Sequence, residues 1–123
     1  MSNRTGAMPS RLDQRCPLAR TLDIIGERWT MLVLRDLMLE GSRKFHDFER
    51  SLPRIGPNTL SARLKRLEEA GIVERRFYER HPPRAEYVLT RKGDELRPAL
   101  RALRDWGETY TKGPKARAST RDI

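Results

Sequence analysis

Residues 57–70 have the sequence PNTLSARLKRLEEA, and this segment decides the fold of the chain. Leu60, Leu64 and Leu67 recur at the spacing of a single apolar stripe on an α-helix. Pro57 suits the first helical position, because an N–H group there would have no partner within the helix. The segment therefore predicts one helix that packs on a core through one face.

The opposite face of this predicted helix is small, polar and basic. Asn58, Ala62 and Lys65 project away from the leucine stripe when each residue advances by about 100°. Ser61 and Arg66 lie on the flanks. Such a face suits a helix that enters the major groove of DNA. An ordinary solvated amphipathic helix would have the same pattern, so the surrounding chain has to decide between the two.

A shorter helix is predicted immediately before this one. Residues 43–52 place Phe45, Phe48 and Leu52 on one side of an amphipathic helix, and residues 53–56 form a tight link. Two helices joined by a brief turn that contains glycine make a helix-turn-helix pattern. Many helical hairpins also satisfy this spacing.

Two strand-like runs follow, IVERRFY at 72–78 and AEYVLT at 85–90. Residues 79–84 between them, ERHPPR, contain two prolines, which fit the tip of a β-hairpin better than its strands. A helix-turn-helix followed by a basic hairpin is a winged helix, and this hairpin is termed the wing. Its tip residues can reach a phosphate or a narrow minor groove; the alternative is a solvated loop without a contact. These tip residues are Arg80, His81 and Arg84.

Helical segments, termed the arms, flank this unit. The N-terminal arm begins with a helix whose apolar positions are Leu18, Leu22 and Ile25. The next helix, at residues 29–39, is apolar around most of its circumference and is predicted to be the central core helix.

The C-terminal arm is predicted to be a helix that Thr90 can N-cap and that Pro98 kinks or restarts. Its apolar positions lie three or four residues apart, at Leu96, Leu100, Leu103, Trp106 and Tyr110. A chain of this size has a limited core, so we expect part of this stripe to pack on a partner. Burial within the same subunit is the alternative.

Composition narrows the class of protein. The chain has 123 residues, which suits one domain, and a formal net charge of +9, which indicates an acidic partner, either nucleic acid or an anionic membrane surface. Residues 42–92 carry thirteen Lys and Arg against seven Asp and Glu, whereas residues 16–41 and 93–111 each have a net charge of −1. The positive charge thus surrounds the predicted helix-turn-helix and wing, and the arms are close to neutral.

Other features favour a cytoplasmic protein without a cofactor. No apolar run is long enough to span a membrane, and residues 1–10 lack the apolar core of a secretory signal. The single cysteine excludes an internal disulfide framework and fits a reducing compartment. We expect residues 16–111 to form the domain, between flexible tails at 1–15 and 112–123.

Several motifs in this order resemble the HxlR-type transcriptional regulators, over about residues 16–110. They are CPLARTLDIIGERW at 16–29, RKF at 43–45, IGPNTLSARL at 55–64, PPRAEY at 82–87 and LTRKG at 89–93. The resemblance implies a mainly α-helical winged helix-turn-helix protein with a small β-hairpin, which binds double-stranded DNA as a homodimer. It also implies that the N- and C-terminal arms form the contacts between the two subunits. Gly56 stands where the family often has Ser, and glycine is also acceptable as an N-cap.

Candidate site residues follow from these predictions. Those expected to contact DNA are Arg43, Lys44, Asn58, Thr59, Ser61, Arg63, Lys65, Arg66, Arg80, His81 and Arg84. Arg63 lies nearer the core edge of its helix and is either a phosphate contact or half of an internal ion pair. Those expected at the dimer interface are Leu18, Leu22, Leu100, Leu103, Trp106 and Tyr110.

Cys16 has two interpretations. A small, inert, buried thiol is common in proteins. The resemblance implies that some family members sense oxidants or electrophiles through a cysteine at this place. The expected position at a helix N-terminus, with Arg15 and Arg20 nearby, would favour the reactive thiolate form.

An enzyme is not indicated. The two histidines, His46 and His81, lie on separate elements, so no metal site is predicted, and no glycine-rich phosphate loop is present. The sequence therefore predicts a regulator that binds a pseudo-palindromic operator as a homodimer, with an electrophile or small molecule as a possible effector. A winged-helix module that binds protein or RNA is the alternative.

Overall fold

The computed structural model describes residues 14–114 and residue 123. Most of the two tails predicted at 1–15 and 112–123 lies outside these residues. The described elements, in chain order, are α1 Pro17–Ile25, α2 Arg28–Glu40, β1 Arg43–Lys44, α3 Phe45–Ser51, α4 Pro57–Glu69, β2 Val73–Arg80, β3 Pro83–Leu89, α5 Arg91–Asp94 and α6 Arg97–Tyr110. The fold is mainly helical with a small antiparallel sheet in the order β1-β3-β2, which confirms the predicted winged helix-turn-helix class.

Helix α2 lies at the centre of the core, as predicted from its apolar circumference. Val33, Leu34 and Leu37 are almost completely buried. The leucine stripe of α4 packs in the same core, where Leu60, Leu64 and Leu67 have at most 1% of their surface exposed. This burial sets which face of α4 remains in solvent.

The helix-turn-helix consists of α3, the link at residues 52–56 and α4. Ile55 in the link is buried and holds the two helices against the core. Gly56 is the N-cap of α4, and its carbonyl accepts a hydrogen bond from the Leu60 N–H at 2.9 Å. Gly71 follows the helix with φ of +76°, a left-handed conformation that glycine adopts without steric cost.

The predicted start of α3 was wrong by two residues. The helix begins at Phe45, because Arg43 and Lys44 form a short strand that pairs with β3. Arg43 lies opposite Tyr87, and Lys44 lies opposite Glu86. Two residues are too few to show the alternation of a strand, so only the pairing with β3 reveals it.

The wing is longer than its predicted strands. Pairing continues through Glu79 opposite Arg84 and Arg80 opposite Pro83, so only His81 and Pro82 connect the strands. The prediction that both prolines lie at the tip was therefore wrong for Pro83. A proline is tolerated there because it is the first residue of β3.

The C-terminal arm is interrupted where proline was expected to interrupt it. The Thr90 hydroxyl N-caps α5 by accepting a hydrogen bond from the Gly93 N–H at 3.1 Å. The chain restarts as α6 with Pro98 in its first turn. The predicted N-cap at Thr90 and the predicted interruption at Pro98 are therefore confirmed.

Candidate nucleic-acid interface

The outer face of α4 is open to solvent. Asn58, Ser61, Ala62 and Lys65 are exposed, whereas the leucines on the other side are buried. Thr59 is half-buried. Lys65 forms no ion pair with any residue that the structure describes, so its ammonium group is available to an anionic partner.

Arg63 and Arg66 point toward the N-terminal arm. The Arg63 Nε lies 2.8 Å from the Glu27 Oε1, in an ion pair between α4 and the start of α2. Arg66 Nη2 donates a hydrogen bond of 3.4 Å to the Asp23 carbonyl in α1. Of the two alternatives for Arg63, the structure therefore has the internal ion pair.

Glu27 is held by more than this arginine. Its Oε1 also accepts hydrogen bonds from the Thr30 N–H at 3.0 Å and the Thr30 hydroxyl at 3.3 Å. Partial burial alone would raise the pKa of Glu27, but the Thr30 N–H and the Arg63 guanidinium together hold that pKa below its ordinary value. The carboxylate is thus ionised and fixed at the N-terminus of α2, where the helix dipole favours a negative charge.

Arg43 lies inside the domain, which differs from its predicted phosphate contact. Its Nη2 donates to the Asp47 carbonyl at 3.1 Å and to the Ser51 hydroxyl at 3.2 Å. The same nitrogen is 3.7 Å from the Asp36 Oδ2, and the Arg43 side chain is only 17% exposed. This guanidinium links α2, β1 and α3 and has little surface left for DNA.

Lys44 lies on the solvent side of β1. Its Nζ is 4.9 Å from the centre of the Tyr78 ring in the wing, a cation–π contact. The Lys44 N–H donates to the Asp47 Oδ2 at 2.9 Å, and this hydrogen bond is the main reason that the pKa of Asp47 is lowered. Lys44 remains exposed and consistent with a phosphate contact.

The wing tip is exposed and partly neutralised. Arg80, His81 and Arg84 are all in solvent. The Arg84 Nε is 3.0 Å from the Glu79 Oε1 across the hairpin, whereas Arg80 forms no ion pair within the described part of the chain. Arg80 is thus the less constrained of the two tip arginines.

An ion pair between α4 and the wing was not predicted. The Arg75 Nε lies 3.3 Å from the Glu68 Oε2, which joins the end of α4 to β2. Arg75 is directly opposite Tyr87 in the sheet, and burial of the Tyr87 phenol raises the pKa of Tyr87. No local sequence pattern could have identified this contact, because the two residues belong to different elements.

Sequence reasoning also missed Asp36, a charged residue with only 4% of its whole surface exposed. Here a signal was present, since a charged residue in the middle of an apolar helix is almost never buried without a partner. Its partners are Arg35 at 3.0 Å, Arg43 and the Ser51 hydroxyl, which donates to Oδ2.

Most of the predicted dimer residues are exposed and apolar. Leu18, Leu22, Leu103, Trp106 and Tyr110 have between 50% and 70% of their surface in solvent. The Trp106 and Tyr110 rings contact each other with centroids 5.3 Å apart. Leu100 differs, because it is 6% exposed within the core of its own chain and leaves little surface for a partner.

Cys16 is exposed at the N-cap of α1 and has no disulfide. Within the single chain, Cys16 is therefore not the buried thiol of the first interpretation. Its carbonyl accepts the Arg20 N–H at 3.0 Å, while the Arg20 side chain donates to the Gln14 carbonyl.

Two kinds of site are absent from the described residues. They contain no group of three or more His, Cys, Asp or Glu that could hold a metal ion. None of the described helices combines the length and the apolar character needed to cross a membrane.

This arrangement of helix-turn-helix, wing and arms matches a known family. A model described as HxlR-like helix-turn-helix matches residues 24–115. The chain belongs to the HxlR-like helix-turn-helix family. The resemblance inferred from the sequence motifs is thereby confirmed.

Relatives and solved structures agree with this assignment. The HTH-type transcriptional regulator YdeP of Bacillus subtilis strain 168 is 39% identical over 95 residues, which cover 77% of this chain and 73% of YdeP. YybR of the same organism is 36% identical over 109 residues, covering 89% of this chain and 85% of YybR. The redox regulator HypR in its oxidized form is 37% identical with a TM-score of 0.72, over 80% of this chain and 100% of that structure. These relatives are regulators, which agrees with the prediction that this HxlR-like chain is not an enzyme.

Proposed function

We propose that this HxlR-like protein is a transcriptional regulator that binds double-stranded DNA sequence-specifically, as a cytoplasmic homodimer on a pseudo-palindromic operator. The observation that carries the proposal is the exposed surface of α4, where Asn58 and Lys65 stand opposite a fully buried leucine stripe and Ser61 lies on the flank. Asn can pair with adenine and Lys with guanine in the major groove, and Ser suits phosphate or base contacts.

The arms support the homodimer. Their exposed apolar residues, Leu18 and Leu22 on α1 and Leu103, Trp106 and Tyr110 on α6, are unusual on a monomeric surface. Burial of these residues against the same residues of a second copy would form a two-fold interface. The two α4 helices would then reach half-sites about one helical turn of DNA, or a multiple of it, apart.

Cys16 supports regulation by an oxidant or electrophile. Its thiol is exposed on α1, the helix that also carries two of the proposed dimer residues. Modification of this thiol would therefore act on the arm that sets the separation of the two α4 helices, the recognition helices of the homodimer. Cys16→Ser should leave operator affinity unchanged and abolish any loss or gain of binding after treatment with an electrophile; a full response in this variant would exclude the role.

The proposal is tested by selecting operator fragments from genomic DNA and measuring their binding by fluorescence anisotropy. Operator affinity should fall steeply with salt, because several phosphates are neutralised. Lys65→Ala should weaken binding, whereas the matched variant Arg91→Ala should not. The Arg91 side chain is 93% exposed, and it follows the base of the wing, at the opposite end from the tip.

Two results would contradict the proposal. Selection without any enriched symmetric sequence would favour the alternative, a winged-helix module that binds protein or RNA. Equal affinity of the Lys65→Ala and wild-type proteins for the operator would remove α4 from the interface.

A further inference from the structure

Two arginines of α4 occupy one flank of the helix, between its buried and exposed faces. Arg63 lies about 60° from the leucine stripe, whereas Lys65 lies about 140° from it at 100° per residue. Arg66 follows one turn after Arg63 on the same flank. Both side chains contact the N-terminal arm: Arg63 the Glu27 carboxylate at 2.8 Å, and Arg66 the Asp23 carbonyl at 3.4 Å. These two contacts are termed the latch.

The arm side of the latch is held in place by contacts that do not involve Arg63. Glu27 is the N-cap of α2, and its Oε1 accepts two hydrogen bonds from Thr30, a residue that is 2% exposed. The Asp23 carbonyl lies in the last turn of α1, where carbonyl oxygens have no intrahelical partner. Arginine is a favourable donor at such a helix end.

Close packing does not bridge the helices at this place. A groove of about 490 Å³ separates the α1–α2 junction from α4, and its lining includes Asp23, Glu27, Arg63 and Arg66. The latch therefore spans a gap that apolar contacts leave open. The leucine stripe of α4 packs on α2 in the core, and the latch adds polar contacts at the rim of that core, which can break without opening it.

We propose that Arg63 is a positioning residue, which acts on DNA recognition through Glu27 and makes no phosphate contact. The latch holds α4 at one angle to α1, the arm helix that carries Leu18 and Leu22. In a homodimer, the relative orientation of the two recognition helices then follows the geometry of the arms. This inference rests on the proposed function.

Replacement of Glu27 distinguishes the two roles of Arg63, because a positioning role and a phosphate contact predict opposite changes in the affinity for operator DNA. Glu27→Ser keeps a side chain that N-caps α2 well but is too short to reach Arg63. If Arg63 were a phosphate contact, this change would remove a nearby negative charge, free the guanidinium and strengthen DNA binding. If Arg63 positions α4, the same change weakens operator binding and leaves non-specific DNA binding unchanged or slightly stronger.

The experiment compares Glu27→Ser, Arg63→Gln, their double variant and Lys65→Ala on operator and on scrambled duplex. An exposed ion pair is worth about two- to fivefold, so a dimer with two latches should lose between about fourfold and 25-fold in operator affinity. The double variant should be no weaker than either single variant. The dependence of affinity on salt should keep the wild-type slope in Arg63→Gln, because no phosphate contact is lost.

Thermal unfolding of each variant checks that the folded fraction is unchanged at the temperature of the binding assay. Stronger operator binding by Glu27→Ser, a salt slope lower by about 0.9 or more in Arg63→Gln, or additive losses in the double variant would overturn the inference. If the latch variants bind like wild type while Lys65→Ala loses affinity, the latch fails and the proposed function stands. If Lys65→Ala is also without effect, the proposed function fails as well.

Discussion

Asp36→Ala should lower the free energy of unfolding by about 3 kcal/mol, because it removes the acceptor of a buried charge network. The Asp36 side chain is 5% exposed and lies in the middle of α2. Its Oδ1 is 3.0 Å from the Arg35 Nη2, and its Oδ2 is 3.7 Å from the Arg43 Nη2 and accepts the Ser51 hydroxyl. The network joins α2 to the short strand β1 and to α3.

The magnitude follows from what remains after the substitution. Removal of one partner of a buried ion pair costs about 3–5 kcal/mol, because the other charge is left without compensation. Arg35 is 31% exposed and can turn to water, and Arg43, although only 17% exposed, keeps its hydrogen bonds to the Asp47 carbonyl and the Ser51 hydroxyl. The lower end of the range is therefore expected. For a domain of this size it corresponds to a decrease in Tm of about 12–24 °C.

Urea denaturation, monitored by circular dichroism, measures this decrease in the free energy of unfolding. Arg35→Gln is the matched control, and it should cost less than about 1 kcal/mol because its pair is partly solvated. Hydrogen exchange should also show weaker protection of the β1–β3 backbone amides in Asp36→Ala. A loss below about 1 kcal/mol in Asp36→Ala would refute the interpretation that this network holds β1 in place.

Three further predictions concern the arms, the close packing of the wing base and the acid limit of stability. Trp106→Glu should weaken self-association by at least about 30-fold, measured by analytical ultracentrifugation; an unchanged dimer would exclude α6 from the interface. Gly93→Ala should destabilise the fold by about 2 kcal/mol or more, because the added Cβ would lie 2.3 Å from the Ile72 carbonyl oxygen. In the control Gly107→Ala, the added Cβ meets no atom within 4 Å, and the substitution should stabilise α6 by about 0.5–1 kcal/mol. Comparable urea midpoints of the two variants would contradict this prediction. Since the pKa of Glu27 is below its ordinary value of 4.5 when folded, its ionised form stabilises the protein above that value, and this contribution is lost as the pH falls through the folded pKa. Glu27→Ser should therefore flatten the decline of the urea midpoint as the pH falls below 4.5; an unaltered decline would count against the ion pair.

The sequence predicted the helices well because their ends carry local signals. Pro57 and Thr90 stand at helix starts, and Gly71 follows a helix end, so each boundary depends on residues within one turn of it. The strand β1 could not be predicted in this way. Its two residues carry no periodicity, and their conformation is decided by pairing with Tyr87 and Glu86, more than forty positions further along the chain.

The sequence alone determined which face of α4 is buried and that the positive charge surrounds this helix, because apolar periodicity and composition are properties of neighbouring residues. Only the tertiary structure decided which of the cations remain available to DNA. Lys65 is unpaired within the described residues, Arg63 is neutralised by a carboxylate 36 positions away, and the Arg43 side chain is only 17% exposed. Ion pairing depends on distance in space, and the fold alone brings these charges together.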